Sequence, residues 1–221
     1  MEDSLSARDA FIHWEMEIQK NVYMQDNDYR HSIQFNFAND YPRIDKELMD
    51  FGEAISTQLE PLVRENNLAM NLPRLESYNS IGERIDKVVH HPTYVKAGNI
   101  IYQSRLLEKM SQPGGLLECL SFLFLSSQTG EAGHNCPIAC SAGMIRVLQK
   151  NPEIPNQAFY LEKLISPSFE TNYTGAQFLT EIQGGSDVGL NAVMAKQDEK
   201  NTWRIYGEKW FCSNAGADLI F

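Results

Sequence analysis

Two short segments carry the residue types that could do chemistry: "TEIQGGSDV" at residues 180–188 and "KWFCSN" at residues 209–214. Thr180 brings a hydroxyl that donates or accepts. Gly184 and Gly185 let backbone pass close to a ligand where a Cβ would collide, and Ser186 sets a second hydroxyl beyond that approach. Further along, Trp210 and Phe211 supply flat apolar surface, and Ser213 follows. A planar, partly polar ring suits this mixture. Aromatic and aliphatic groups would cover its face. Hydroxyls and backbone N–H groups would meet its polar edge and stabilise the negative charge that gathers there on reduction. Either segment alone reads equally well as a turn or as core packing; the signal lies in the pair, in this order, after a helical region.

A second constellation is His134, Cys136 and Cys140, with the two thiols on one face of a helix. A zinc site needs a fourth ligand or an open catalytic position. Only His13, His31, His90, His91 and the distant Cys119 and Cys212 remain to supply one. The neighbours Ala139, Ser141, Ala142 and Gly143 point instead to small cysteines packed in a helix interface, so no metal is expected. The four cysteines show no disulfide framework.

These segments need a scaffold. The chain has 221 residues, 43% of them hydrophobic, enough for one sizeable core or two small ones. Net charge is -10. The pairs Arg84 and Lys87, Arg105 and Lys109, and Arg146 and Lys150 are spaced as solvated helix faces, not as the basic patch that nucleic acid demands. The apolar run "LLECLSFLFL", 116–125, is too short for a bilayer and contains Glu118, so it reads as a buried helix. The N-terminal "MEDSLSARDAFIHW" shows neither a signal nor a transit pattern, which makes a cytoplasmic location the expectation.

Helical periodicity dominates to about residue 165. Ile44, Leu48, Phe51, Ile55, Leu59 and Leu62 recur at steps of three or four, an amphipathic helix bent near Pro61. A looser stretch follows to Tyr94. "KAGNIIYQSRLLEKM", the 116–125 run, "CPIACSAGMIRVLQK" and "QAFYLEKLIS" are further helices. From "YTGAQFLTE" onward the texture is strands and turns. "NAVMAKQ" and "TWRIYGEKWF" flank "DEKN" as a hairpin, with Val193, Ala195, Trp203 and Ile205 partly alternating with polar neighbours. The expected fold class is α+β: a helical domain over 1–172, then the first part of a β domain over 173–221.

The two segments resemble the signatures of the acyl-CoA dehydrogenase family: a Thr-Glu-x-x-x-Gly-Ser-Asp segment opening a β-barrel-like middle domain, and a Gly-x-Lys-aromatic-aromatic-x-Ser-Asn strand, here "GEKWFCSN". The forms "TEIQGGSDV", "ERIDKVVHHPTY" and "NCPIACSAGMIRVL" are most similar to the AidB-like, alkylation-response branch. The resemblance implies FAD as cofactor. Gln177, Phe178, Leu179, Thr180, Gly184, Gly185 and Ser186 would line the flavin edge, with the Thr180 hydroxyl on the pyrimidine side. Ser186 would lie near the pyrophosphate or the acyl-CoA. Phe211 would cover the flavin face beside Cys212, with Ser213 near the reactive ring nitrogen. Glu181 is not a base in that family and reads as a strand or turn carboxylate.

The family's catalytic glutamate, much of its adenine contact and its oligomer interface belong to a C-terminal helical domain. The expectation is therefore the N-terminal part of a longer polypeptide, with "ADLIF" a strand cut off from its partners. Completed by its C-terminal remainder, it would dehydrogenate an acyl-CoA thioester as a homo-oligomer, a tetramer or dimer. The alternative is an AidB-like flavoprotein that protects DNA through that remainder. No membrane partner is expected.

Overall fold

The computed structural model describes residues 6–221; residues 1–5, which begin both the acidic N-terminal stretch and the first expected domain, lie outside the described residues. Ser6 caps α1 (Ala7–Ile18), its Oγ accepting the Asp9 N–H. Asn21 and Asp26 cap α2 (Val22–Gln25) and α3 (Asn27–Phe37) in the same way. Next, α4 (Tyr41–Ala54) runs through a π turn at Ile55–Leu59 into α5 (Glu60–Asn66). The expected stripe is buried at Ile44, Leu48, Phe51, Ile55 and Leu59, but Val63 then takes the place of Leu62. Pro61 accounts for the change. It has no N–H, and its ring presses on the carbonyl four residues back. The wider turn just before it absorbs that clash and rotates the buried face by one residue.

The stretch expected to be loose contains an antiparallel hairpin, β1 (Arg74–Tyr78) and β2 (Arg84–Val89). Asn79 Oδ1 accepts the N–H groups of Ile81 and Glu83 to build its turn. The single helix expected beyond it is two, α6 (Pro92–Gln103) and α7 (Leu106–Ser111), separated by Arg105 in the left-handed region at φ 61. Gly115 then lets the chain fold back tightly, since a Cβ there would lie 1.8 Å from the Lys109 carbonyl oxygen. α8 (Leu116–Ser127), α9 (Asn135–Lys150) and α10 (Gln157–Leu164) complete the helices.

The core sits between α4 with its π turn on one side and α6 to α9 on the other. Leu48, Ile101, Leu125 and Ile145 are fully enclosed, and the Phe51 and Phe122 rings meet at 5.4 Å. The burial expected of α8 holds for one face only. Cys119, Phe122 and Leu125 point inward, while Leu116, Leu117, Leu120 and Phe124 stay exposed. Burial pushes the Cys119 thiol up to about 12. Lys109, expected on a solvated face, is largely covered and pairs with Glu47 and Glu118.

Beyond α10, β3 (Gly175–Ala176) lies on α9, where Ser141 Oγ accepts the Gly175 N–H at 2.9 Å. β4 (Met194–Gln197) and β5 (Trp203–Tyr206) form the expected hairpin, its turn built on Asp198. The expectation that "ADLIF" lacks partners is wrong: β6 (Leu219–Ile220) pairs in parallel with β3, and Phe221 exchanges backbone hydrogen bonds with Ala176 and Phe178. The described strands form three two-stranded sheets and close no barrel. No described helix is long and apolar enough to cross a membrane.

Candidate functional site

The 180–186 segment is a tight loop pinned by a carboxylate. The Glu181 N–H donates to the Gly184 carbonyl at 2.8 Å, and the Gly184 N–H donates back at 3.1 Å. The Glu181 side chain turns inward, with the residue only 2% exposed. Its Oε2 accepts from the Ala192 N–H and from Gln183 Nε2, both at 2.6 Å. Its Oε1 accepts from Lys209 Nζ at 2.7 Å and from the Val193 N–H at 3.2 Å. Lys209 also donates to the Leu179 carbonyl at 3.1 Å, and the Trp210 N–H donates to the Thr180 carbonyl at 2.8 Å.

One carboxylate therefore ties together the two segments singled out in the sequence and the chain at 192–193 between them. Lys209, helped by the Ala192 and Val193 N–H groups against the cost of burial, holds the Glu181 carboxyl below the usual carboxylate range. With both oxygens engaged, Glu181 has no capacity to act as a base, in line with its reading as a turn carboxylate. The sequence reading missed Lys209 as its partner, and the signal was present: the lysine stands directly before the aromatic pair.

The two glycines differ. A Cβ on Gly184 would fall 2.0 Å from Asn191 Oδ1, so the fold itself demands glycine there. A Cβ on Gly185 would meet nothing closer than Thr180 Cγ2 at 3.7 Å, an ordinary contact. No protein atom explains Gly185.

"GEKWFCSN", expected as a strand, is irregular after Tyr206. Phe211 and Asn214 take left-handed backbone at φ 55 and 56. Asn214 Nδ2 anchors the end of the segment to Thr174 Oγ1 and the Gly175 carbonyl. This path turns Phe211 outward, 77% exposed, with Trp210 edge-on at 5.6 Å. Gln177, Leu179, Gly185, Ser186 and Ser213 are exposed, Phe178, Thr180 and Cys212 are half-buried, and Gly184 is buried. Among the described residues, the hydroxyls of Thr180, Ser186 and Ser213 have no protein partner. The result is a charged hub flanked by exposed aromatic faces and unengaged hydroxyls, of which Ser213 lines a cleft that none of residues 177–186 borders. Such a surface can hold and orient a planar ring.

His134 is not brought to the cysteines. It is fully buried, with Nε2 2.8 Å from the Tyr94 carbonyl and its ring stacked at 3.9 Å on Tyr94, whose other face carries His90. Gly98 makes the space, since a Cβ there would lie 2.7 Å from the His134 ring. Burial lowers His134 to about 4, so the ring is neutral. Tyr94 and Phe169 also border a cleft of about 1100 Å³ between the β1–β2 hairpin, the start of α9 and the turn that begins at Ser213.

The profile of the adaptive response protein AidB N-terminal domain matches residues 15–171. The chain is 28% identical over 192 residues to acyl-CoA dehydrogenase family member 11 of Caenorhabditis elegans, covering 82% of this chain and 30% of that protein. It is 29% identical over 185 residues to the putative acyl-CoA dehydrogenase AidB of Escherichia coli K12, covering 76% of this chain and 34% of that protein. The chain thus spans about a third of the length of these relatives. The crystal structure of C. elegans ACDH-11 in complex with C11-CoA superposes with a TM-score of 0.79 at 27% identity, over 90% of this chain and 35% of the other. The fold is shared as well with Bd2924 in its apo form, TM-score 0.77 at 21% identity, over 90% of this chain and 41% of the other.

Proposed function

Because this chain belongs to the adaptive response protein AidB N-terminal domain family and is the N-terminal part of an acyl-CoA dehydrogenase-like protein, we propose that it supplies the helical wall and one side of an FAD site. In this reading residues 1–172 are the helical domain and 173–221 the first part of the middle β domain. The single observation that carries it is the Glu181–Lys209 hub, which sets Thr180 beside Trp210, with Phe211 exposed and the Thr180, Ser186 and Ser213 hydroxyls unengaged.

The donor set suits the cofactor. Unengaged hydroxyls match a polar ring edge, an exposed phenyl ring matches an isoalloxazine face, and Gly185 leaves open a space that no protein atom fills. When bound, FAD supplies a ring that accepts hydride. The Thr180 hydroxyl would hold the pyrimidine edge, which Gln177 would also line, with backbone contacts from Phe178, Leu179 and Thr180. Phe211 would cover the face beside Cys212, Ser213 would bond near the reactive nitrogen, and Ser186 would meet the pyrophosphate or the acyl-CoA. The substrate in this reading is an acyl-CoA thioester, which would lose hydrogen across its α,β bond. Glu181 is fully engaged, and in this reading the base that takes the α-proton would come, as the family resemblance implies, from polypeptide outside these residues. The assembly would be a cytoplasmic homo-oligomer. The match to an adaptive response protein keeps a second reading open, a DNA-protective flavoprotein with little dehydrogenase activity.

The test is a titration of the purified chain with FAD, followed by absorbance and flavin fluorescence. Saturable quenching is expected, weakened roughly tenfold by Thr180→Val or Ser213→Ala, the order of one lost hydrogen bond. Quenching that both variants leave unchanged would sink the placement. The absence of quenching, with or without the C-terminal part of a relative added, would sink the flavin reading.

A further inference from the structure

We propose that Cys136 and Cys140 form a site for trivalent organoarsenicals, the two thiols bridging one arsenic atom whose organic substituent lies in the adjoining cleft. Both cysteines belong to α9, one helical turn apart; Cys136 is exposed and borders the 1100 Å³ cleft, and Cys140 is half-buried one turn beyond it. Residues four apart on a helix have Cβ atoms about 5–6 Å apart. A disulfide needs about 3.5–4.5 Å, so an intact α9 keeps the pair as two thiols. A single larger atom bonded to both sulfurs spans that gap without unwinding the helix.

The number of donors narrows the ligand. His134 is turned toward Tyr94, and among the described residues no group of three or more His, Cys, Asp or Glu side chains is placed to hold a metal. Zinc, which takes four ligands or three and a water, is therefore poorly served. A monosubstituted arsenical asks the protein for only two sulfurs and brings its third substituent. In the reaction of R–As=O with the pair, both S–H bonds and the As=O bond break and two As–S bonds form. The two protons leave with the oxygen as water, and arsenic stays trivalent, so no oxidant or reductant is required.

The cleft beside Cys136 supplies selectivity. Its wall carries Tyr94, Phe169, Pro137, Ile85 and Val88 among polar groups such as Asp86, Lys87 and Asp218, and these five offer apolar surface suited to an aryl group. The other cysteines offer no such pair: Cys119 is buried in the core, and Cys212 has no second cysteine at helical spacing. The site does not rest on the flavin reading, although Ser213 and Asn214 line the same cleft.

The experiment treats the purified reduced chain with phenylarsine oxide and counts free thiols and intact mass. The expected result is loss of two of the four free thiols with the gain of one arsenical, reversed by 2,3-dimercaptopropanol. Cys136→Ser and Cys140→Ala should each weaken binding roughly hundredfold, because the second bond is then no longer intramolecular. Inorganic arsenite should bind more weakly than the aryl compound. Four thiols still titratable after treatment, or equal binding by either variant, would overturn the site; equal affinity for arsenite would overturn the role of the cleft.

Discussion

Leu125 and Ile205 are both aliphatic and both belong to regular elements, yet one is fully buried and the other 77% exposed. That contrast runs through the molecule. The helical layer is held by interlocked apolar side chains, from Tyr23 and Leu48 to Phe122 and Ile145. The segment after residue 173 buries few large apolar residues and leaves Trp203, Ile205, Tyr206 and Phe211 in the open. It is ordered instead by polar contacts: Glu181 with Lys209, Asp198 at its hairpin turn, and Asn214 on β3. Apolar packing is non-directional and scales with area, whereas a buried ionic hub depends on each partner being present. The two regions should therefore respond to different perturbations.

The largest effect belongs to the core. Leu125→Ala should lower global stability by about 2–5 kcal/mol, read as a cooperative shift in thermal or denaturant unfolding. A loss confined to the strand segment would break the comparison. Next comes Gly184→Ala, whose Cβ has no room beside Asn191. We expect a cost of about 1–3 kcal/mol, with amide shifts gathered in 180–193, while Gly185→Ala leaves the fold intact and weakens only flavin binding. Equal folding defects in the two variants would contradict the distinction drawn between them.

Glu181→Gln should be smaller globally and sharp locally. Hydrogen-exchange protection at the Ala192 and Val193 amides is expected to fall by roughly tenfold, with α9 unaffected. Acid should do the same reversibly. A carboxyl held below its ordinary value of 4.5 contributes its full stabilisation above that value, and this is lost as pH falls through the lowered folded-state value. Protection of the Ala192 and Val193 amides should thus fall with acid in the wild type and be low already at neutral pH in Glu181→Gln; an acid response that the variant retains would break the role given to this carboxylate. The smallest effect is Ile205→Ala, within about 0.5 kcal/mol; a greater loss in a melt would mean that the hairpin face is covered in solution.

How much of this was legible in the sequence follows from the same division. The stripe from Ile44 to Leu59 was readable because apolar packing imposes a helical period on consecutive residues. The β4–β5 hairpin was readable from its alternation about "DEKN", even though that face is exposed. The β1–β2 hairpin was not. "RIDKVV" puts charges on both faces and "RLESY" offers only Leu75 and Ser77 on its uncharged one, and only the asparagine and glycine of the turn marked it. The π turn depends on a side chain clashing one turn back, a relation that a 3.6-residue period does not register. The site residues were found as a pair of motifs, but their hub was not, since Glu181 reaches partners 11 and 28 positions away.

The parallel pairing of β3 with β6 also bears on how the chain is made. Thr174 and Asp218, which bond at the start of that pair, are 44 positions apart. At about 5–20 residues per second, a ribosome takes on the order of 2–9 seconds to deliver the second strand after the first. Through that interval α9 can already be folded and holding Gly175 by Ser141, while the outer edge of β3 waits without its neighbour. Exposed strand edges are templates for wrong pairing. The shortness of β3, two residues seated on a helix, is what keeps that wait safe for the nascent chain.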